Sequence, residues 1–206
     1  MYGAGKWVRI SDLKNILYTI ILSFLFSSSV FGDWEAGADA YKKGDYATAL
    51  KEYRAAAEQG DTAAQNALGY MYNNGFGVTQ DYKEGLKWYR LAAEQGHAQA
   101  QFNLGGLYFF GQGVTQDYKE AAKWFRLAGE QGDAKAQDNL AVMYYKGQGV
   151  GQNIVIAYMW FYVAAENGNP RNRNLNALAK GMKPKQIAKA EKFARKCIKN
   201  NYKDCG

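Results

Sequence analysis

The sequence predicts an all-α solenoid, a stack of antiparallel helix pairs closed by a C-terminal capping helix, and three observations predict it. Residues 62–97, 98–133 and 134–169 align on one another without a gap, the first two copies sharing 22 of 36 positions and the second and third 17. Each copy carries apolar residues at helical spacing, as Ala64, Leu68 and Tyr72 do at i, i+4 and i+8. The chain has 23 Gly and 16 Tyr against 2 Pro, with 48% apolar residues, which suits aromatic-rich helices punctuated by glycine turns. One helix pair cannot bury its own apolar face, so copies at a fixed period must share a continuous core.

The elements follow in chain order. Lys6, Arg9 and Lys14 precede an apolar run from Ile16 to Phe26, and Ser27–Gly32 then supplies small residues before Asp33. This is the layout of a secretory signal over residues 1–32, with Val30 and Gly32 at the small-residue positions and cleavage after Gly32. No Cys stands there, which argues against a lipid anchor. The alternative is an uncleaved inner-membrane anchor, because Asn15 to Gly32 is 18 residues without charge, although Ser and Thr interrupt it. The predicted location is periplasmic or secreted.

Residues 33–61 form a shortened unit, with Tyr41, Gly44-Asp45-Tyr46, Leu50, Tyr53 and a closing Glu58-Gln59-Gly60. In the copy 62–97 the first helix ends at Asn73-Asn74-Gly75, and Gly75 and Gly77 permit a tight connection. A second helix opens at Asp81 as N-cap, with Glu84 completing a capping box that Asp117 and Glu120 repeat. Tyr82, Leu86, Tyr89 and Ala93 form its buried line, and Gly96 stops it. Leu68, Tyr72 and Trp88 recur as Leu104, Tyr108 and Trp124, and again as Leu140, Tyr144 and Trp160. The copy 134–169 departs at Asn153-Ile154-Val155-Ile156, where apolar residues replace the charged first turn, so this helix is expected to pack under the cap. Residues 170–206 are that cap. Pro170 blocks extension of the last repeat, and Pro184 opens a final helix with Ile187, Ala190, Ala194 and Cys197 on one side and lysines on the other.

The net charge of +7 divides unevenly: +2 over residues 1–32, −4 over 33–169 and +9 over 170–206. A nucleic-acid footprint needs a basic stripe along the body, and none exists. The basic tail is open to several readings: it can meet an anionic phospholipid surface, an acidic protein or a wall polymer, or be a solvated helix face. One His and two Cys are too few for a structural zinc site, so no metal centre and no cofactor are expected. In an oxidising compartment Cys197 and Cys205 can pair across a short loop. His97 stands at the register of Asp61, Asp133 and Asn169 and reads as a capping residue rather than a catalytic one. The Gly-x-Gly pairs lack a preceding strand and a Lys-Ser/Thr ending, so they are turns and not phosphate cradles.

The copy QFNLGGLYFFGQGVTQDYKEAAKWFRLAGEQGD and its neighbours over residues 33–169 resemble Sel-one-like repeats, a branch of the tetratricopeptide-like solenoids. The opening AYKKGDYATALKEYRAAAEQG and the closing KGMKPKQIAKAEKFARK resemble terminal units of bacterial members. The resemblance implies a right-handed α/α superhelix that holds a protein or peptide ligand on its concave side without catalysis. Carried over position by position, it implies a groove formed by Asn66, Tyr70 and Asn73, by Phe102, Phe109 and Phe110, and by Asp138, Val142 and Tyr145. Phe109 and Phe110 stand out, since they replace Asn73 and Asn74 of the preceding copy. Some of these residues are alternatively gap fillers between adjacent first helices. Cysteine-rich exported relatives suggest a hydrolase of β-lactam or wall material, but they carry a Cys pair in each repeat, and these repeats carry none.

Overall fold

The computed structural model describes residues 33–168, 173–203 and 205. The signal reading for residues 1–32 and the break at Pro170 therefore lie outside the described residues. Every element among the described residues is a helix. Four pairs follow one another: α1 (Trp34–Lys42) with α2 (Tyr46–Glu58), α3 (Thr62–Asn74) with α4 (Tyr82–Glu94), α5 (Ala98–Phe110) with α6 (Tyr118–Gly129), and α7 (Ala134–Lys146) with α8 (Ile154–Glu166). Two further helices, α9 (Arg173–Gly181) and α10 (Pro184–Lys199), close the stack. Each helix packs on its pair mate, and each second helix packs on the first helix of the next pair.

The starts and stops of these helices are local chemistry. Asp61 and Asp133 accept the backbone N–H of Ala64 and Ala136 at 2.8 and 2.7 Å, and His97 Nδ1 does the same for Ala100 at 3.2 Å. Asp81 accepts from Lys83 and Glu84, as Asp117 does from Lys119 and Glu120. The expected capping box is thus only half present. The Glu84 carboxylate accepts from Lys87 Nζ at 2.7 Å instead of reaching back to the cap, because the Asp81 backbone N–H already donates to the Tyr72 carbonyl at 2.9 Å. Gly113 lies at φ +71°, and a Cβ there would stand 2.5 Å from the Tyr82 carbonyl oxygen. The loop must approach the preceding unit that closely, so only glycine fits.

Apolar packing and a periodic polar seam hold the units together. The rings of Tyr89 and Phe125 lie over Gly69 and Gly105, where a Cβ would come within 2.7 and 2.8 Å of them. Buried Gln65, Gln101 and Gln137 donate across the unit boundary to the carbonyls of Ala57, Ala93 and Gly129, at 3.1, 3.1 and 2.8 Å. Their own oxygens accept from Gln95 at 2.9 Å, Gln131 at 2.7 Å and Asn167 at 3.5 Å. On the other edge Arg54, Arg90 and Arg126 donate to the hydroxyls of Tyr72, Tyr108 and Tyr144. A buried amide with both ends bonded incurs little desolvation penalty and fixes one register between neighbours.

The far end is built differently. Ala157, Met159, Trp160, Val163 and Ala164 of α8 are buried, so the apolar turn at Ile154–Ile156 does open a helix that packs under the cap. Helix α10 lies on α8 and buries Ala190, Ala194 and Cys197. The capping region also contains α9, which sequence reading missed. Its spacing was available: Leu175, Leu178, Ala179 and Met182 fall at i, i+3, i+4 and i+7, and all pack into the core. Cys197 and Cys205 are joined, with Cα atoms 5.0 Å apart. Inside that loop Asn201 and Tyr202 hold φ values of 51° and 64°, and the Tyr202 hydroxyl donates to Asn167 at 2.9 Å. Asn167 in turn donates to the Gly132 carbonyl at 2.6 Å, so the loop seals the last polar seam.

Candidate functional site

The first helices of the units form a wall with three adjoining open hollows. The central one, about 280 Å³, is lined by Tyr70, Asn73, Phe102, Phe109, Phe110 and Val142 among others. A second, about 460 Å³, lies between Val142, Tyr145, Ile154, Asn174 and Leu178. The third, about 300 Å³, lies between Tyr41, Tyr53, Asn66, Tyr70 and Asn103. Tyr70 and Asn103 belong to two hollows and Val142 to two, so the three make one continuous run.

Eight of the nine groove residues named from the sequence therefore line this run; Asp138 lines none of the three. Burial has pushed the Asp138 carboxyl above its ordinary value, as expected for a half-buried acid. The eight are not equivalent. Tyr70, Phe110 and Tyr145 are 43%, 69% and 49% exposed, whereas Phe102 and Phe109 are half-buried. The Phe109 ring packs edge-on against Tyr118 at 5.2 Å and tilts toward Phe125 at 6.4 Å, and Phe102 meets Phe125 at 5.8 Å. Phe109 and Phe110 were both expected in the groove, and both line the central hollow. Successive helical residues diverge by about 100°, so Phe109 leans half-buried on Tyr118 and Phe125 while Phe110 stands exposed, the two rings meeting edge-on at 5.1 Å.

The polar lining is made of amides. Asn103 Nδ2 donates to Asn66 Oδ1 at 3.1 Å, and Gln99 donates to Asn103 Oδ1 at 3.2 Å. Gln80 holds the main-chain carbonyl of Asn73 at 2.8 Å, while the Asn73 side-chain oxygen is buried with no hydrogen-bond partner. Lys146 is the one charged residue among those lining the three hollows. Rings and amides with almost no formal charge suit a ligand that brings apolar side chains and main-chain N–H and C=O groups. Sequence reading missed Asn103, Asn139, Asn174 and Leu178. The last two lie on α9, the helix it did not anticipate.

Among the described residues no three His, Cys, Asp or Glu side chains gather where an ion could be held. Nor is any helix among them long and apolar enough to cross a membrane. His97 is half-buried as a cap, and burial lowers its pKa.

The chain is 46% identical over 54 residues to an exopolysaccharide production negative regulator of Rhizobium leguminosarum bv. viciae, a match covering 26% of this chain and 20% of that protein. The chain thus spans about a fifth of the length of that curated relative. In structure it is similar to a protective antigen of uropathogenic Escherichia coli displaying an SLR fold, with a TM-score of 0.70 and 37% identity over 75% of this chain and 34% of the other. It is also similar to a Sel1 repeat protein of Oxalobacter formigenes, with a TM-score of 0.70 and 32% identity over 82% of this chain and 78% of the other. The Sel1 repeat matches at residues 34–61, 62–97, 98–133 and 134–169. With four consecutive repeats on a shared solenoid fold, the chain belongs to the Sel1 repeat family.

Proposed function

We propose that this chain is an exported, non-enzymatic scaffold that holds a protein or an extended peptide along the wall of its first helices. One observation carries the reading: the wall changes from unit to unit where the core does not. Asn66, Phe102 and Asp138 share one register, Tyr70, Gly106 and Val142 another, and Asn73, Phe109 and Tyr145 a third; beneath them Leu68, Leu104 and Leu140 are identical and fully buried. A core must match itself at every unit, whereas a reading surface must match a ligand that does not repeat. Family membership supports a role in protein–protein contact. Export is supported by the layout of residues 1–32 and by the Cys197–Cys205 pair; the competing location is the inner membrane, by way of an uncleaved anchor.

The test follows from exposure. Phe109 is unsuitable for substitution because its ring packs on Phe125. Phe110→Asp combined with Tyr145→Asp leaves the interior intact. The immobilised double variant should lose retention of specific envelope proteins by about tenfold or more, since exposed aromatic anchors dominate such interfaces. Its far-UV circular dichroism should match that of the parent. Undiminished retention would remove the groove from the mechanism.

A further inference from the structure

We propose that α10 is an electrostatic seat that lays the solenoid against an anionic phospholipid bilayer while leaving the groove free. Lys185, Lys189, Lys192, Lys196 and Lys199 are all exposed and recur at i, i+4, i+7, i+11 and i+14. At about 100° per residue they fall within roughly 40° of one line along the helix, spanning about 21 Å. The buried residues Ala190, Ala194 and Cys197 lie on the opposite side, against α8, so the line faces directly away from the fold. Exposed Lys183 and Lys203 extend the positive surface past both ends of the helix.

Among the described residues this line carries no ion pair, and Lys189 Nζ lies 5.5 Å from the centre of the Phe193 ring. The acid of α10, Glu191, pairs with Arg195 at 3.4 Å and stands off the line, and among the described residues none of the five lysines has an acidic partner. Like charges at i, i+3 and i, i+4 weaken a helix, so the arrangement has a standing cost that an anionic partner would relieve. The partner is identified by shape and by what the surface lacks. Protein interfaces need buried apolar anchors, and the large apolar residues exposed among the described residues are Trp34, Tyr70, Leu91, Phe110, Leu127 and Tyr145, none of them on α9 or α10. A convex ridge of lysines with no wall meets a plane of charge, as a bilayer of anionic lipids offers. Contact is then electrostatic only, because the apolar side of α10 is already used against α8. No residue of α10 lines any of the three hollows, so seating does not occlude the groove.

The experiment is co-sedimentation of the full chain with vesicles containing about 30 mol% phosphatidylglycerol and with pure phosphatidylcholine vesicles, at about 50 and 500 mM salt. Residues 1–32 carry a net charge of +2 and add the same anionic preference to the parent and to every variant, so the difference between parent and variants is the reading. The parent should partition into anionic vesicles about tenfold or more over neutral ones at low salt, and the preference should vanish at high salt. A variant with Lys→Gln at 185, 189, 192, 196 and 199 should lose most of the preference and keep its helical content. A control with Lys→Gln at 51, 83, 87, 119 and 123 removes the same charge and should keep it. The proposal fails if the parent shows no preference, if the two variants lose it equally, or if soluble polyglutamate binds the parent more tightly than the anionic vesicles do. Because the readout does not involve the groove, its failure is separate from failure of the scaffold reading.

Discussion

The outward faces of α4 and α6 use lysine in one way and that of α10 in another. In the repeats a glutamate one turn earlier answers the lysine, Glu84 to Lys87 at 2.7 Å and Glu120 to Lys123 at 3.3 Å. On α10 five lysines follow one another with no such answer. The unit boundaries show the same division. Within the repeats a glutamine seam recurs with the same partners, while at the end a disulfide-closed loop and Tyr202 take its place. A repeat must be compatible with copies of itself, and so its surface is balanced and its seams are generic. The cap meets the stack on one side only, which frees the other side to be specialised.

This contrast can be attacked from either end. Phe125→Ala should cost the repeats about 3–5 kcal/mol in urea unfolding, since the ring is buried over Gly105 and supports Phe102 and Phe109. It should also loosen the groove wall. Cys197→Ser with Cys205→Ser should cost about 2–3 kcal/mol, the chain-entropy value for so short a loop. Here the distribution matters more than the total. Hydrogen exchange should speed in α10 and the end of α8 while α3 to α6 stay protected, as nearest-neighbour coupling requires. Equal loss of protection throughout would show that cap and repeats are one cooperative block.

The smallest effect belongs to His97, where a titratable cap replaces the aspartates of the other units. Burial lowers its pKa in the folded chain, so the unfolded chain binds the proton more readily. The contribution of neutral His97 is therefore complete above the unfolded value of about 6.5 and is lost as pH falls through the lower folded value. Protonation also removes the Nδ1 lone pair that accepts from Ala100. His97→Asn should keep the cap and flatten this part of the stability–pH curve, by no more than the ~1 kcal/mol a cap is worth. A curve unchanged by the substitution would mean that another group titrates there.

How much of this could be read beforehand depended on whether a residue had copies. Helix limits in the repeats were legible because Asp81, Asp117 and Asn153 stand at one register and each caps through two backbone N–H groups. Helix α9 has no copy to align with, and nine residues give too weak a periodicity to stand alone. The groove was legible as a register but not as a surface. Phe109 and Phe110 are adjacent letters, and only the packed Tyr118 and Phe125 decide which ring is half-buried. The glutamine seam escaped notice for a different reason. Gln65, Gln101 and Gln137 recur as faithfully as the leucines, but a recurring polar residue signals burial only once the carbonyl it serves is in place.

The Asn167–Tyr202 contact has a consequence for how such a chain can grow. An extra 36-residue copy spliced between His97 and Ala98 would find at both joints the glutamine, arginine and tyrosine partners that each neighbour already presents. One spliced in directly after Gly168 would have to pull Asn167 away from the ring that now closes it. Lengthening by duplication is therefore accommodated in the interior of the array and obstructed at its downstream end, much as a zip fastener accepts new teeth anywhere but beyond its stop.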